Sequence, residues 1–284
     1  MTATPDFLKR IIETKRQRLA AAKSARPLAQ LRSDATDMRA AAHAHALRRA
    51  LARADDLNII AEIKRASPSK GELRSRLEPG EVARAYAAGG ASAVSVLTEE
   101  DYFRGSLADL SAVRAACALP VLRKDFIFDE WQVYEAAAAG ADALLLIVAA
   151  LTDERLTSLR RLTEDELGMD ALVEVHTLAE LRRAEQCGAM LIGVNNRNLH
   201  TFEVRLETSF ELIAARQTHA LYVSESGLRT HADLTRLRAQ GFDGFLIGET
   251  LMRADDPAAT LKQLRGQESE AEISNIKTQI TNNE

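Results

Sequence analysis

Apolar residues in this chain come in short runs, and eight such runs alternate with longer stretches in which apolar and polar positions recur at helical spacing. The runs cover 59–64, 94–99, 121–125, 143–148, 172–176, 191–197, 221–226 and 245–249. The helix-like stretches between and after them cover 81–88, 107–118, 130–139, 154–167, 178–187, 206–217, 232–240 and 257–264. Pro79 sits where a helix starts, and glycines at 89–90, 140, 168, 188 and 241 sit where helices end. A strand–helix alternation of this kind predicts a parallel sheet, and eight units predict its closure into a (β/α)8 barrel. An open doubly wound sheet is the alternative. It usually carries a Gly-rich turn after its first strand, and no G-x-G-x-x-G occurs there.

Seven of the eight runs end in a polar or charged cluster; only 143–148 fades out apolar. A buried strand has no structural need of a lysine or glutamate at its exit. A barrel doing chemistry at one mouth does, because its working side chains come from the C-terminal ends of several strands. Alternation along each strand sorts the candidates. Ile60, Glu62 and Lys64 point inward, with Ile59, Ala61 and Ile63 toward the helices. The same parity turns Leu122 and Lys124, Leu172 and Glu174, Gly193, Asn195 and Arg197, and Leu221, Val223 and Glu225 inward. The bland reading is a set of buried ion pairs. Buried charge is expensive and often replaceable by packed apolar groups, so several charges kept at one rim point to function. The chemistry on offer is acid–base: a lysine held protonated by carboxylates donates a proton, and a glutamate removes one.

Two further signals point to an anionic substrate. Ser226-Gly227 follows the seventh run and Gly248-Glu249-Thr250 the eighth, where barrels present backbone N–H groups to a phosphate. Glu249 is expected to turn its side chain away. The loop 65–74 is long, polar and cationic; lid and solvated surface loop both fit it. Weaker candidates are set aside. His43 and His45 lie two apart on a presumed helix and do not share a face. His176 reads as an outward or loop histidine, and Trp131 and Tyr134 as packing residues.

About 55 residues precede the first strand. Phe7, Leu8, Ile11, Ile12 and Leu19 predict one helix, and an Ala-rich stretch predicts another over 38–54. The expectation is a single unit over 1–266, with the N-terminal helices as an extension of the barrel, followed by a polar tail, 267–284. The chain has 284 residues, 46% of them hydrophobic, enough for one large α/β barrel. A net charge of −4 gives no basic footprint for nucleic acid. No apolar run reaches membrane length. Cys117 and Cys187 lack metal-type spacing, and a cytoplasmic protein is expected.

These motifs, taken in order, resemble the indole-3-glycerol phosphate synthase family of tryptophan biosynthesis. The matching stretches are 60–69, 95–99, 122–127, 172–176, 192–199, 224–227 and 246–249, in register from about residue 5 to residue 265. The resemblance implies a (β/α)8 TIM barrel with an N-terminal helical extension and a carboxy-lyase activity. It also implies a small phosphorylated substrate, 1-(2-carboxyphenylamino)-1-deoxyribulose 5-phosphate, closed to indole-3-glycerol phosphate with loss of CO2 and water. No cofactor and no metal is implied. By the same resemblance Lys124 is the general acid of ring closure and Glu174 the base of the later dehydration. Lys64 contacts the substrate carboxylate and assists dehydration, Glu62 positions it, and Asn195 and Glu225 orient ring and hydroxyls. Ser67, Arg197, Ser226, Gly227, Gly248 and Glu249 match positions that contact substrate and phosphate, the last through its backbone. Leu122, Leu172 and Phe126 are candidates for an apolar wall around the aryl ring. Alternatives on the same barrel are a Schiff-base aldolase, a phosphoribosyl isomerase or a non-catalytic subunit. Monomer and weak association with other tryptophan-pathway enzymes both stay open.

Overall fold

The computed structural model describes residues 6–54, 56–68, 71–74 and 77–267. Eight parallel strands close into one barrel: β1 (Asn58–Ile63), β2 (Ala93–Leu97), β3 (Val121–Lys124), β4 (Ala143–Ile147), β5 (Asp170–Val175), β6 (Leu191–Asn195), β7 (Leu221–Glu225) and β8 (Gly244–Ile247). Each strand pairs with its sequence neighbour, and β1 closes the ring on β8 with Asn58 opposite Gly244. The expected (β/α)8 fold is what forms.

The parity read from sequence is the parity observed. Ile60, Leu122, Leu145, Leu172, Leu191, Val223 and Leu246 fill the barrel interior in one apolar cluster. Ile59, Ala61, Ile63, Val94, Val96, Val173 and Phe245 belong to the larger cluster between sheet and helices. The outer helices fall close to the expected stretches, from α4 (Pro79–Ala88), α5 (Leu107–Ala116) and α6 (Glu130–Ala138) to α12 (Pro257–Leu264). Between them run α7 (Asp153–Arg161), α8 (Leu178–Gln186), α9 (Glu207–Ala214), α10 (His231–Ala239) and the short α11 (Glu249–Met252). Side-chain oxygens cap many of their starts, including Ser106, Asp129, Thr152, Thr177, Thr230 and Asp256. The expected helix 154–167 divides: α7 ends at Arg161 and a π-helical turn continues to Glu166.

Three helices precede the barrel: α1 (Asp6–Ala25), α2 (Leu28–Ala40) and α3 (Ala46–Leu51). The expected helix over 38–54 does not form as one piece. Its composition favours helix throughout, but the chain breaks at His45, whose φ is 52°. Tertiary contacts hold the break. His45 N–H donates to the Gly168 carbonyl at 2.8 Å, and Asp170 at the start of β5 accepts the Arg48 N–H at 2.9 Å. The turn aims α3 under the barrel, where Leu47 and Leu51 join the inner cluster. At the opposite mouth Leu8 and Ile12 of α1 join the same cluster. The barrel core is thus stoppered at both ends by N-terminal helices. The expected tail, 267–284, lies outside the described residues except for Gln267, and Ser69 and Lys70 of the first loop lie outside them too.

Candidate active site

Four strands deliver charge to one point above the apolar plug. Glu62 and Lys64 come from the end of β1, Lys124 from β3, Glu174 from β5 and Glu225 from β7. Lys64 Nζ lies 2.5 Å from Glu62 Oε1. Lys124 Nζ lies 3.6 Å from Glu62, 3.9 Å from Glu174 and 3.3 Å from Glu225. All three carboxylates are buried. Each of these contacts is an attraction of about 4 kcal/mol at an effective dielectric near 20. Two glycines make the approach feasible. A Cβ on Gly193 would collide with the Glu225 carboxylate, and one on Gly248 with that of Glu62.

The arrangement sets the protonation states. Burial works against charge on Lys124, but Glu225, Glu62 and Glu174 outweigh it and hold the ammonium far above the ordinary lysine range. Burial also lifts Glu62, and Lys64 and Lys124 more than reverse it, leaving this carboxyl below its ordinary value. Burial lifts Glu174 in the same way; the His176 imidazole and then Lys124 overcome it and bring the carboxyl down to about 2. Glu225 goes the other way. Burial and the neighbouring Glu174 outweigh Lys124 and push it up to about 8. Lys124 Nζ lies 3.3 Å from Glu225 without hydrogen-bond alignment, and neither Glu225 oxygen has a hydrogen-bond partner among the described residues. One carboxylate is thus kept ionised beside another that holds its proton, which is how a site runs base and acid chemistry side by side.

A cavity of about 760 Å³ opens above this cluster. Among the residues lining it are all the catalytic and phosphate-site candidates read from sequence: Glu62, Lys64, Ser67, Lys124, Glu174, Asn195, Arg197, Glu225, Ser226, Gly227, Gly248 and Glu249. Ser226 and Gly227 both have positive φ, 68° and 83°, so the chain turns sharply after β7. The Asn196 amide holds that turn by donating to the Ser226 carbonyl at 3.1 Å, and Thr250 Oγ1 donates to the Leu228 carbonyl at 3.0 Å, tying the two glycine loops together. The Glu249 carboxylate faces Arg253 at 3.4 Å. Asn195 Oδ1 accepts the Arg197 N–H at 3.0 Å, and the Arg197 guanidinium donates to the Phe202 carbonyl. The first loop is anchored on both sides. Arg65 forms an ion pair with Asp109 of α5 at 2.6 Å, and Glu72 one with Arg104 at 2.6 Å, while Leu73 lines the cavity.

The apolar wall differs from the expectation. Phe126 lines the cavity, but Leu122 and Leu172 have no exposure and lie in the plug beneath it. Their inward parity is right; their height along the strand is too low. Phe7, Phe103, Leu145, Ile147 and Leu246 supply the apolar surface instead. Phe7 packs edge-on against Tyr102 and Phe202, bridging the loops after β2 and β6. His176 lies in the loop after β5, as one of its two readings had it, but its ring turns in rather than out. Its ring is mostly covered, 9% exposed, with Nε2 at 3.4 Å from Glu174 Oε1 and Nδ1 at 3.2 Å from Glu180 Oε2, and these carboxylates outweigh burial to lift it to about 9. The Glu174-x-His176-x-x-x-Glu180 spacing was the available signal. The one metal-type cluster among the described residues is Glu99, Glu100 and Asp101. Glu99 there accepts loop N–H groups, while Glu100 and Asp101 pair with Lys15 and Arg18.

A family model described as indole-3-glycerol phosphate synthase matches residues 8–264. An indole-3-glycerol phosphate synthase of Aromatoleum aromaticum is 47% identical over 261 residues, covering 92% of this chain and 99% of its own. One of Laribacter hongkongensis is 49% identical over 263 residues, covering 91% and 98%. Among solved structures, 3-hexulose-6-phosphate synthase of Salmonella typhimurium superposes with a TM-score of 0.59 at 15% identity, covering 73% of this chain and 96% of that one. Thiamine phosphate pyrophosphorylase of Pyrococcus furiosus gives 0.56 at 19% identity, covering 74% and 95%. These two likenesses speak for the barrel alone. Seven motifs, one cluster at the barrel mouth and near-full-length relatives agree, and the chain belongs to the indole-3-glycerol phosphate synthase family.

Proposed function

We propose that this protein is an indole-3-glycerol phosphate synthase, converting 1-(2-carboxyphenylamino)-1-deoxyribulose 5-phosphate to indole-3-glycerol phosphate, CO2 and water. The carrying observation is Lys124, fully charged and held within 3.9 Å of carboxylates from three other strands. Ring closure joins the aryl carbon that bears the carboxylate to the ketone carbon. The carbonyl electron pair moves to oxygen, and Lys124 supplies the proton there. A fixed cation at that oxygen stabilises the transition state more than the ground state. CO2 then departs, and the electrons of its bond restore the aromatic ring. In dehydration Lys64 protonates the leaving hydroxyl while Glu174 takes a proton from the carbon beside the nitrogen. With an ionised substrate carboxylate, each turnover consumes one proton overall.

Glu62 keeps Lys64 in place through the 2.5 Å contact. Glu225, protonated and without a hydrogen-bond partner among the described residues, is set to meet a substrate hydroxyl, and Asn195 borders the same space. The phosphate is assigned to the Ser226-Gly227 and Gly248-Glu249 backbones, with Arg197 and Ser67 at the opposite side of the substrate. The side chain of Glu249, drawn to Arg253, is consistent with a backbone role. Phe103, Phe126 and Ile147 are the natural surface for the aryl ring.

The Schiff-base alternative fits this site poorly, because a nucleophilic amine must lose its proton and the ionised Glu62 and Glu174 beside Lys124 oppose that. We treat α1–α3 as part of one unit with the barrel over residues 1–266, since Leu8, Leu47 and Leu51 share its inner cluster. A cytoplasmic monomer, or one weakly associated with other tryptophan-pathway enzymes, remains the expected setting. Purified protein given the substrate should release the fluorescent indole product and CO2 in equal amounts. A folded protein that yields neither would end this reading, and borohydride trapping of substrate carbon on a lysine would replace it with the aldolase.

A further inference from the structure

Beside the substrate cavity, and sharing Asn195, Arg197 and Leu199 with it, lies a second cavity of about 260 Å³. His176 lines this second cavity, and its neighbour Glu174 lines the substrate cavity. It follows β5, where strand alternation no longer dictates direction, and its ring is aimed by α8 instead. Thr177 caps that helix by accepting the Glu180 N–H at 3.2 Å. The cap brings the Glu180 carboxylate back over the strand end, where it accepts the His176 backbone N–H at 2.7 Å and faces Nδ1 at 3.2 Å. With Nδ1 fixed in this way, Nε2 faces Glu174 at 3.4 Å from Oε1, a charge contact without hydrogen-bond alignment. The opposite oxygen of Glu174 faces Lys124 at 3.9 Å.

Resting on the function proposed above, we propose that His176, braced by Glu180, is a positioning residue that keeps Glu174 ionised and aimed at the substrate. A buried carboxyl tends to take up a proton, and a protonated Glu174 could not act as a base. Lys124 alone is a poor guarantee of ionisation, because it is shared among three carboxylates and gives up its proton during ring closure. An imidazolium on the far oxygen keeps its charge through that step. The raised affinity of His176 for its proton agrees with this role. The charged groups around the ring are Glu180 and Arg183 from α8, and Arg197, His200, Glu203 and Arg205 from the loop after β6. Across the barrel, Glu225 and Lys124 act on Glu174 itself.

The test is the pH dependence of kcat/KM for the wild type, His176→Gln and Glu180→Gln. Glutamine keeps a hydrogen-bond donor beside Glu174 and removes the charge. His176→Gln should lower kcat by about tenfold or more with KM changed less than about threefold. It should also bring in an acid limb at least about one pH unit above that of the wild type. Glu180→Gln should move the limb in the same direction by less. The titration of the substrate phosphate is common to all three and cancels in the comparison. If His176→Gln does not fold, Glu180→Gln carries the test alone. A lower melting temperature with an unmoved acid limb would show a merely structural histidine and overturn the proposal. A wild type without product would instead remove the functional reading beneath it.

Discussion

Glu225 is the residue at which stability and activity pull apart. Its carboxyl is buried, has no hydrogen-bond partner among the described residues and holds its proton up to about 8. Folding therefore raises its pKa from an ordinary 4.5, so its contribution to stability is lost progressively as pH rises from 4.5 to about 8. Glu225→Gln removes that loss. Against the wild type in urea denaturation, the variant should gain stability with rising pH, on the order of 5 kcal/mol by about pH 8.5, while turnover drops. A residual alkaline slope should persist in both proteins, because His176, raised from 6.5 to about 9, stabilises below 6.5 and ceases to do so through about 9. A flat difference across the window would mean that Glu225 is ionised throughout. At this scale the sequence was readable wherever alternation applied. Glu62, Lys64, Lys124, Glu174 and Glu225 all stand where parity put them. It left the direction of the His176 ring unread because parity stops at the end of a strand, and the ring is aimed by Glu180, four residues on. It misjudged Leu122 and Leu172 because parity gives the face of a strand and not the depth.

Among the elements, the N-terminal helices have divided labour. Leu51 of α3 and Leu8 of α1 contact the same inner cluster from opposite ends. Only Leu8 also borders the substrate cavity. Leu51→Ala should cost about 3 kcal/mol in stability and leave kcat and KM near the wild-type values. Leu8→Ala should raise KM several-fold, since it removes part of the roof over the substrate. Equal effects of the two on KM would refute the division. Ion pairs hold α1 in place: Lys15 to Asp125 at 2.6 Å, Arg18 to Asp101 at 2.6 Å and Lys23 to Asp129 at 2.8 Å. The first helix was legible as an amphipathic stripe. The break between α2 and α3 was not, because residues 41–45 carry no glycine or proline and the bend is imposed by Gly168 and Asp170, more than a hundred positions away. The loop 65–74 posed the same difficulty, since its anchors on Asp109 and Arg104 belong to other units of the barrel.

Over the whole molecule, the eightfold alternation sufficed to predict closure, because a parallel strand must be followed by a crossover and eight of them fill a ring. The polar ends of seven strands then located the working mouth. What no strand announces by itself is the convergence: Lys124 reaches Glu62, Glu174 and Glu225 only when the ring closes. The account stands on that convergence being the catalytic apparatus. Its most direct test is single-turnover formation of the indole product by Lys124→Ala, with folding checked by the melting temperature. The account predicts a rate at least about a thousandfold below the wild type, with substrate still bound. A folded variant turning over within about tenfold of the wild type would contradict it.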